Sequence, residues 1–211
     1  MISVSEIFKS IQGEGPNTGQ PSVFLRTAGC NLDCSWCDTD YAKSKKKAKK
    51  MSIEDIVQEI DNYNAKNLVI TGGEPLLQQK SLKKLIEQLD DYYIELETNG
   101  SIACEFDELI NQYNCSPKLL SSGNDEYELQ ILPSEKTWYK FVIDEESDFF
   151  KAIEFAGRYG IPQDRVLMMP QGKTKKECEH NSLWLVEKCN ETGYSFCPRL
   201  HVMLWNNQRG K

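Results

Sequence analysis

The stretch "SVFLRTAGCNLDCSWCDT", residues 22–39, changes character half-way along. Its first seven residues, SVFLRTA (22–28), are β-branched and aromatic and read as a strand. Three cysteines follow at once, Cys30, Cys34 and Cys37, spaced C-x3-C-x2-C. A loop of reactive residues therefore sits at the C-terminal end of a strand. The same pattern recurs along the chain. NLVIT (67–71) reads as a short buried strand and runs into GGEP (72–75). YIELET (93–98) is a strand that ends at NG (99–100), and RVLMMP (165–170) runs into PQG (170–172). Parallel α/β sheets and barrels carry their active sites on that rim, so these loops are expected to meet.

Helices alternate with the strands. SIEDIVQEIDNY (52–63) has Ile53, Ile56, Val57 and Ile60 at helical spacing, with Ser52 as its N-cap. SLKKLIEQLDDY (81–92), EFDELINQY (105–113), DFFKAIEFAGRYG (148–160) and KECEHNSLWLVEKCNETG (176–193, stopped by Gly193) are the other predicted helices. SPKLL (116–120), WYKFVI (138–143) and RLHVMLW (199–205) bring the strands to about seven. Such alternation predicts a largely parallel sheet covered by helices. At 211 residues the chain is short for a closed eight-unit barrel. The expected fold is α/β, an incomplete TIM-like barrel of mostly parallel strands, in one domain over 1–211.

A net charge of −7 gives no sign of nucleic-acid binding. The run KSKKKAKK (43–50) reads as a solvated lysine-rich loop in preference to a docking patch. The chain shows no signal peptide and no long apolar run, which predicts a cytoplasmic protein with no membrane contact. Eight cysteines in such a chain do not form a disulfide framework. Cys104, Cys115, Cys178, Cys189 and Cys197 are scattered. Cys178, Cys189 and Cys197, with His180, read as structural residues in preference to a second cluster.

The three grouped cysteines lack a fourth ligand, since the next Cys or His in the chain is Cys104. A structural zinc site is closed and four-coordinate. A [4Fe–4S] cube held by three thiolates leaves one iron open to bind a further group. The spacing, with Trp36 before the third cysteine, resembles that of the radical S-adenosylmethionine (radical SAM) superfamily. GGEP after a strand resembles that superfamily's second motif, although Gly-Gly-x-Pro alone is an ordinary turn.

IFKSIQGEGPNTGQPSVFLRTAGCNLDCSWCDT (7–39) is similar to the 7-carboxy-7-deazaguanine synthase family. The resemblance spans the chain, is densest over residues 6–41, and thins after about residue 120. It implies a shortened barrel, a [4Fe–4S] cluster, S-adenosylmethionine and Mg2+. It implies ring contraction of 6-carboxy-5,6,7,8-tetrahydropterin to 7-carboxy-7-deazaguanine with loss of ammonia, an electron donor such as flavodoxin, and a homodimer. Carried over by position, Cys30, Cys34 and Cys37 hold the cluster and Thr39 holds Mg2+. Trp36, Asp38, Gly73, Glu74, Thr98, Ser116, Pro117, Lys118, Pro170 and Gln171 contact S-adenosylmethionine. Ile11, Gln12, Gly13, Arg26 and Thr71 contact the substrate, with Arg26 clamping its carboxylate.

Each assignment has a plainer reading beside it. QGEG is also a glycine turn, Arg26 a strand ion-pair partner, Thr39 a turn hydroxyl, and Trp36 a shield for the cluster. The family's C-terminal proline, implied to close the substrate pocket, is replaced by the ending WNNQRGK. The lysine run is implied to be a variable loop or a recruiter of acidic flavodoxin. Two competing functions remain at this stage: an activase that installs a glycyl radical on a partner protein, and a non-catalytic iron–sulfur or zinc module.

Overall fold

A computed structural model describes residues 1–206 and 208–211. Its first element, β1 (Ile2–Ile11), is a strand absent from the seven predicted. β2 (Pro21–Thr27) returns antiparallel to it, pairing Glu6 with Arg26 and Phe8 with Phe24. After the cysteine loop come a short helix α1 (Asp40–Lys43), an edge strand β3 (Lys49–Met51) and α2 (Ile53–Asp61). β4 (Asn67–Gly72), α3 (Gln79–Ile86), β5 (Tyr93–Thr98), β6 (Gln112–Cys115) and β7 (Thr137–Ile143) follow. α4 (Glu146–Arg158), β8 (Val166–Pro170), α5 (Lys175–Thr192), β9 (Ser195–Phe196) and α6 (Leu200–Trp205) complete the chain.

The strands form one sheet in the order β3-β1-β2-β4-β5-β6-β7-β8-β9. From β2 to β9 every pairing is parallel; β1 joins β2 and β3 antiparallel. The end strands β3 and β9 do not pair, so the barrel is open as expected.

Strand alternation divides the sheet into two faces of opposite chemistry. Leu25, Ile70, Leu96, Tyr113, Phe141 and Met168 point outward and pack with Ile56, Ile60, Leu82, Leu85, Phe149 and Leu185 from the helices. This is the main core, and truncating a fully buried member such as Leu25 to Ala costs about 2–5 kcal/mol. The alternate residues Arg26, Thr71, Glu97, Asn114 and Lys140 all line a cavity on the inner face. A polar inner face is stable only where its groups are paired or bind a ligand.

Helix ends follow local chemistry. Ser52 caps α2 by accepting from Asp55 N at 3.1 Å, as its position predicts. Thr174 and Glu177 make a capping box at the start of α5. Gly193 ends α5 in the left-handed region at φ 78°, which glycine adopts without a Cβ penalty.

Three predicted elements are corrected. The helix expected over 105–113 is only a 3-10 turn, Asp107–Leu109, running into β6. Phe106, Ile110 and Tyr113 are buried, but as a turn and a strand. The strand expected over 116–120 accordingly lies four residues earlier. The strand expected over 199–205 is α6: the apolar pattern of RLHVMLW fits either period, and only Val202 is buried within the helix. β1 escaped prediction because Glu6 faces the cavity and the register shift between Val4 and Glu6 breaks its two-residue apolar alternation.

Candidate active site

The loop after β2 carries the three cysteines, and all three line the cavity at the C-terminal rim. The loop is held from several sides. Gly29 N donates to Ala42 O at 2.8 Å, and Glu74 N donates to Gly29 O at 2.8 Å. Lys43 Nζ reaches Cys34 O at 3.1 Å, Ser35 N donates to Ser122 O at 2.9 Å, and Asn124 Nδ2 donates to Cys34 Sγ at 3.2 Å. All eight cysteines are free thiols. Among the described residues, no three His, Cys, Asp or Glu side chains converge as a single-ion centre would need. Three thiols from one loop, open to a cavity, are a donor set that fits a three-thiolate [4Fe–4S] cluster.

Gly73 brings the second motif against this loop. A Cβ built there would lie 2.4 Å from Gly29 O and 2.8 Å from Cys30 Cβ, so only glycine permits the approach. Gly73, Thr98, Asn99, Ser116, Lys118 and Gln171 line the adjoining wall. Trp36 and Asp38 line it too, with Lys118 Nζ 5.9 Å above the Trp36 ring. Lys118 Nζ donates to Ser116 O at 2.8 Å and to Ser116 Oγ at 2.7 Å. Burial pulls the Lys118 ammonium below its ordinary pKa.

Three expected contacts do not reach the cavity. Glu74 is fully buried beneath it, accepting from Leu76 N at 3.0 Å, Thr98 Oγ1 at 3.0 Å and Asn99 N at 2.8 Å. Its carboxylate ties the GGEP turn to the end of β5. Pro117 and Pro170 are also absent from the lining. Pro170 is the last residue of β8, opposite Ile143, and neither proline has an N–H to offer a ligand.

Of the residues expected to contact the substrate, Ile11, Gln12, Gly13, Arg26 and Thr71 all line the cavity. Arg26 Nε donates to Glu6 Oε1 at 2.8 Å, and Glu6 also accepts from Tyr41 OH at 2.7 Å. Burial works against the Arg26 cation, but Tyr41 and Glu6 leave its pKa raised. Thr71 Oγ1 donates to Glu97 Oε2 at 2.8 Å. Gln12 Nε2 bridges Glu95 at 3.1 Å and Glu97 at 3.4 Å. Below them Glu95 is fully buried and accepts from amide groups of Gln12, Asn17, Asn67, Gln112 and Asn114. Thr39 lines the cavity, and its hydroxyl makes no cap bond to α1.

Several site residues were not foreseen. Glu14, Lys140 and Arg199 form a largely buried charged cluster, with the His201 imidazole beside Glu14. Gln208, Arg209, Gly210 and Lys211 also line the cavity, so the WNNQRGK ending does reach the site. Arg209 stacks 3.9 Å above the Tyr41 ring and pairs with Glu6 at 3.2 Å. Glu97 and Glu95 carried a usable signal, since two carboxylates two apart on a buried strand must share one face. Arg199 and His201 gave none, because their segment was read with the wrong period.

An open α/β barrel with this three-cysteine loop defines a class, the radical SAM superfamily, whose family model matches residues 24–181. The chain is 36% identical over 216 residues to the 7-carboxy-7-deazaguanine synthase of Pyrobaculum aerophilum, covering 100% of this chain and 97% of that one. It is 36% identical over 218 residues to the synthase of Hyperthermus butylicus, covering 97% and 93%. The chain belongs to the 7-carboxy-7-deazaguanine synthase family. The crystal structure of QueE from Escherichia coli shares the fold, with a TM-score of 0.73 at 24% identity over 93% of this chain and 92% of that one. Membership of the superfamily brings a [4Fe–4S] cluster and S-adenosylmethionine as cofactors, and favours the synthase over the activase and the non-catalytic module. No helix among the described residues is long and apolar enough to cross a membrane.

Proposed function

We propose that this chain converts 6-carboxy-5,6,7,8-tetrahydropterin to 7-carboxy-7-deazaguanine with loss of ammonia. The observation that carries this reading is the continuity of one cavity. The three-cysteine loop and the wall around Arg26, Gln12 and Thr71 belong to the same space. When bound, the cluster and S-adenosylmethionine supply the radical initiation that defines the superfamily.

The protein's share is holding and orienting. Cys30, Cys34 and Cys37 hold the cluster. Gly73 opens backbone space beside it, with Trp36, Asp38, Thr98, Ser116, Lys118 and Gln171 around S-adenosylmethionine. Glu74, Pro117 and Pro170 act from behind, fixing the turns that carry those contacts. Arg26 binds the substrate carboxylate through its terminal nitrogens, since Nε is already committed to Glu6. Ile11, Gln12, Gly13 and Thr71 line the pterin, and the Thr71–Glu97 bond fixes where the Thr71 hydroxyl points. Thr39 offers a hydroxyl to Mg2+, which takes few protein oxygens and keeps waters. We further assign a cytoplasmic location, an electron donor such as flavodoxin, and a homodimer.

The test is substrate discrimination by the anaerobically reconstituted enzyme. Carboxy-tetrahydropterin should yield a product lighter by one ammonia. Tetrahydropterin lacking the carboxylate should yield none. Equal turnover of both would overturn the assignment of Arg26 and the substrate with it.

A further inference from the structure

Arg199 spends all three sides of its guanidinium on three different loops. Nε donates to Glu14 Oε1 at 2.9 Å, in the loop between β1 and β2. Nη2 pairs with Asp38 Oδ2, next to Cys37 in the cysteine loop. Nη1 donates to Gly172 O, in the loop after β8 that also carries Gln171. The side chain is 7% exposed. The three acceptors are met by three different nitrogens of one plane, whereas the three donors of a lysine ammonium all radiate from a single atom and cannot reach the same set.

The neighbourhood is built to hold that fork. Leu200 N donates to Gly13 O at 2.9 Å, and Gly15 N donates to Cys197 Sγ at 3.1 Å. The His201 ring lies against Gly13, where a Cβ would sit 2.1 Å from its Nδ1. Lys140 pairs with the other oxygen of Glu14. The carboxylates of Glu14 and Asp38 are thus paired with the cations of Lys140 and Arg199. Arg199 bonds both Glu14 and Asp38.

We propose that Arg199 is a positioning residue that couples the cofactor half of the cavity to the substrate half. Through Asp38 and Gly172 it fixes the loops assigned to S-adenosylmethionine. Through Glu14 it fixes the loop whose Gln12 and Gly13 are assigned to the pterin. The inference rests on the function proposed above for these two halves.

The experiment uses the cluster-loaded enzyme and three variants, Arg199→Lys, Asp38→Asn and Glu14→Gln. Equilibrium dialysis measures the affinities for S-adenosylmethionine and for carboxy-tetrahydropterin, with iron content and circular dichroism recorded for each protein. Arg199→Lys should weaken both ligands by about tenfold. Asp38→Asn should weaken mainly S-adenosylmethionine, and Glu14→Gln mainly the pterin. The double variant Arg199→Lys with Asp38→Asn should bind S-adenosylmethionine no worse than the weaker single variant. Both affinities of Arg199→Lys within about twofold of the wild type, or the same loss of both ligands in all three variants, would overturn the coupling. Should Arg199→Lys fail to fold, the cycle of Asp38→Asn with Glu14→Gln decides it: non-additive losses are expected, and strictly additive ones would reject Arg199 as the link. If the wild type binds S-adenosylmethionine but not the pterin, the assigned substrate fails, while additive losses in the S-adenosylmethionine arm alone still reject Arg199 as the link.

Discussion

Gly73 rests directly on Gly29, with room for no side chain between them: an added Cβ would meet Gly29 O at 2.4 Å. The obstacle is backbone, which cannot swing aside as a flexible side chain can. Gly73→Ala should therefore push the GGEP turn off the cysteine loop. Its affinity for S-adenosylmethionine should fall by about tenfold or more. Isothermal titration on the reconstituted protein checks this, and unchanged affinity would mean that the turn does not border the cofactor.

Arg26 and Glu6 face each other across the β1–β2 pairing. Arg26→Lys keeps the charge and loses the fork. The KM for the carboxypterin should rise by about 10- to 100-fold while S-adenosylmethionine binding stays within about twofold. Steady-state kinetics with each ligand varied separates the two effects. Equal losses for both ligands would remove Arg26 from the substrate side.

Glu74 receives backbone donors from Leu76 and Asn99 as well as the Thr98 hydroxyl. Glutamine has one acceptor oxygen where glutamate has two. Glu74→Gln should leave a buried N–H facing an amide nitrogen and cost about 1–3 kcal/mol in stability. Urea denaturation of the two proteins measures it.

Acid should destabilise the fold in two stages. Burial pulls the His201 imidazole below 6.5, with Arg199 acting in the same sense and Glu14, Asp38 and Glu97 opposing. Burial alone would raise the Glu14 carboxyl, but Lys140, Arg199 and His201 hold it well below 4.5. Both groups thus have a folded pKa under the unfolded one, so the unfolded chain binds protons first as pH falls. Their contribution is complete above about pH 6.5 for His201 and about pH 4.5 for Glu14, and is lost on acidification through the folded values, by at most about 1.4 kcal/mol per pH unit from each group. Urea midpoints at pH 7, 5.5 and 4 should fall in order. His201→Gln should flatten the first interval and Glu14→Gln the second; a midpoint that rises on acidification contradicts the sign.

Cys34 is the most buried of the three cysteines proposed to hold the cluster, and its thiol accepts from Asn124. Cys34→Ala should bind little iron after anaerobic reconstitution, with the visible absorbance of the wild type lost. Retained iron and absorbance would place the cluster elsewhere.

Much of this was legible in the sequence because chemistry and period coincided. β4 and β8 are short apolar runs that end in motifs, β2 and β5 are β-branched or aromatic strands that do the same, and the motifs fell on one rim as alternation requires. Legibility failed where the inner face turns polar. In β1 the Glu6 carboxylate faces the cavity and the register shifts between Val4 and Glu6, so the apolar alternation that marks a strand breaks half-way along it. It failed again at Arg199 and His201. Their segment satisfies both helical and strand spacing, and its place against Gly13 and Glu14 depends on contacts nearly the length of the chain apart. The burial of Glu74 was not legible either, because its motif is local whereas its partners Thr98 and Asn99 come from the end of the next strand.

The most direct measurement is mass spectrometry of a reaction containing the reduced, cluster-loaded protein, S-adenosylmethionine, Mg2+ and 6-carboxy-tetrahydropterin, run beside Cys30→Ala. The account predicts 7-carboxy-7-deazaguanine and an equal amount of ammonia from the wild type, and neither from the variant. 5′-Deoxyadenosine without the deazaguanine, from a protein with its cluster intact, would contradict the assigned substrate while leaving the radical chemistry in place.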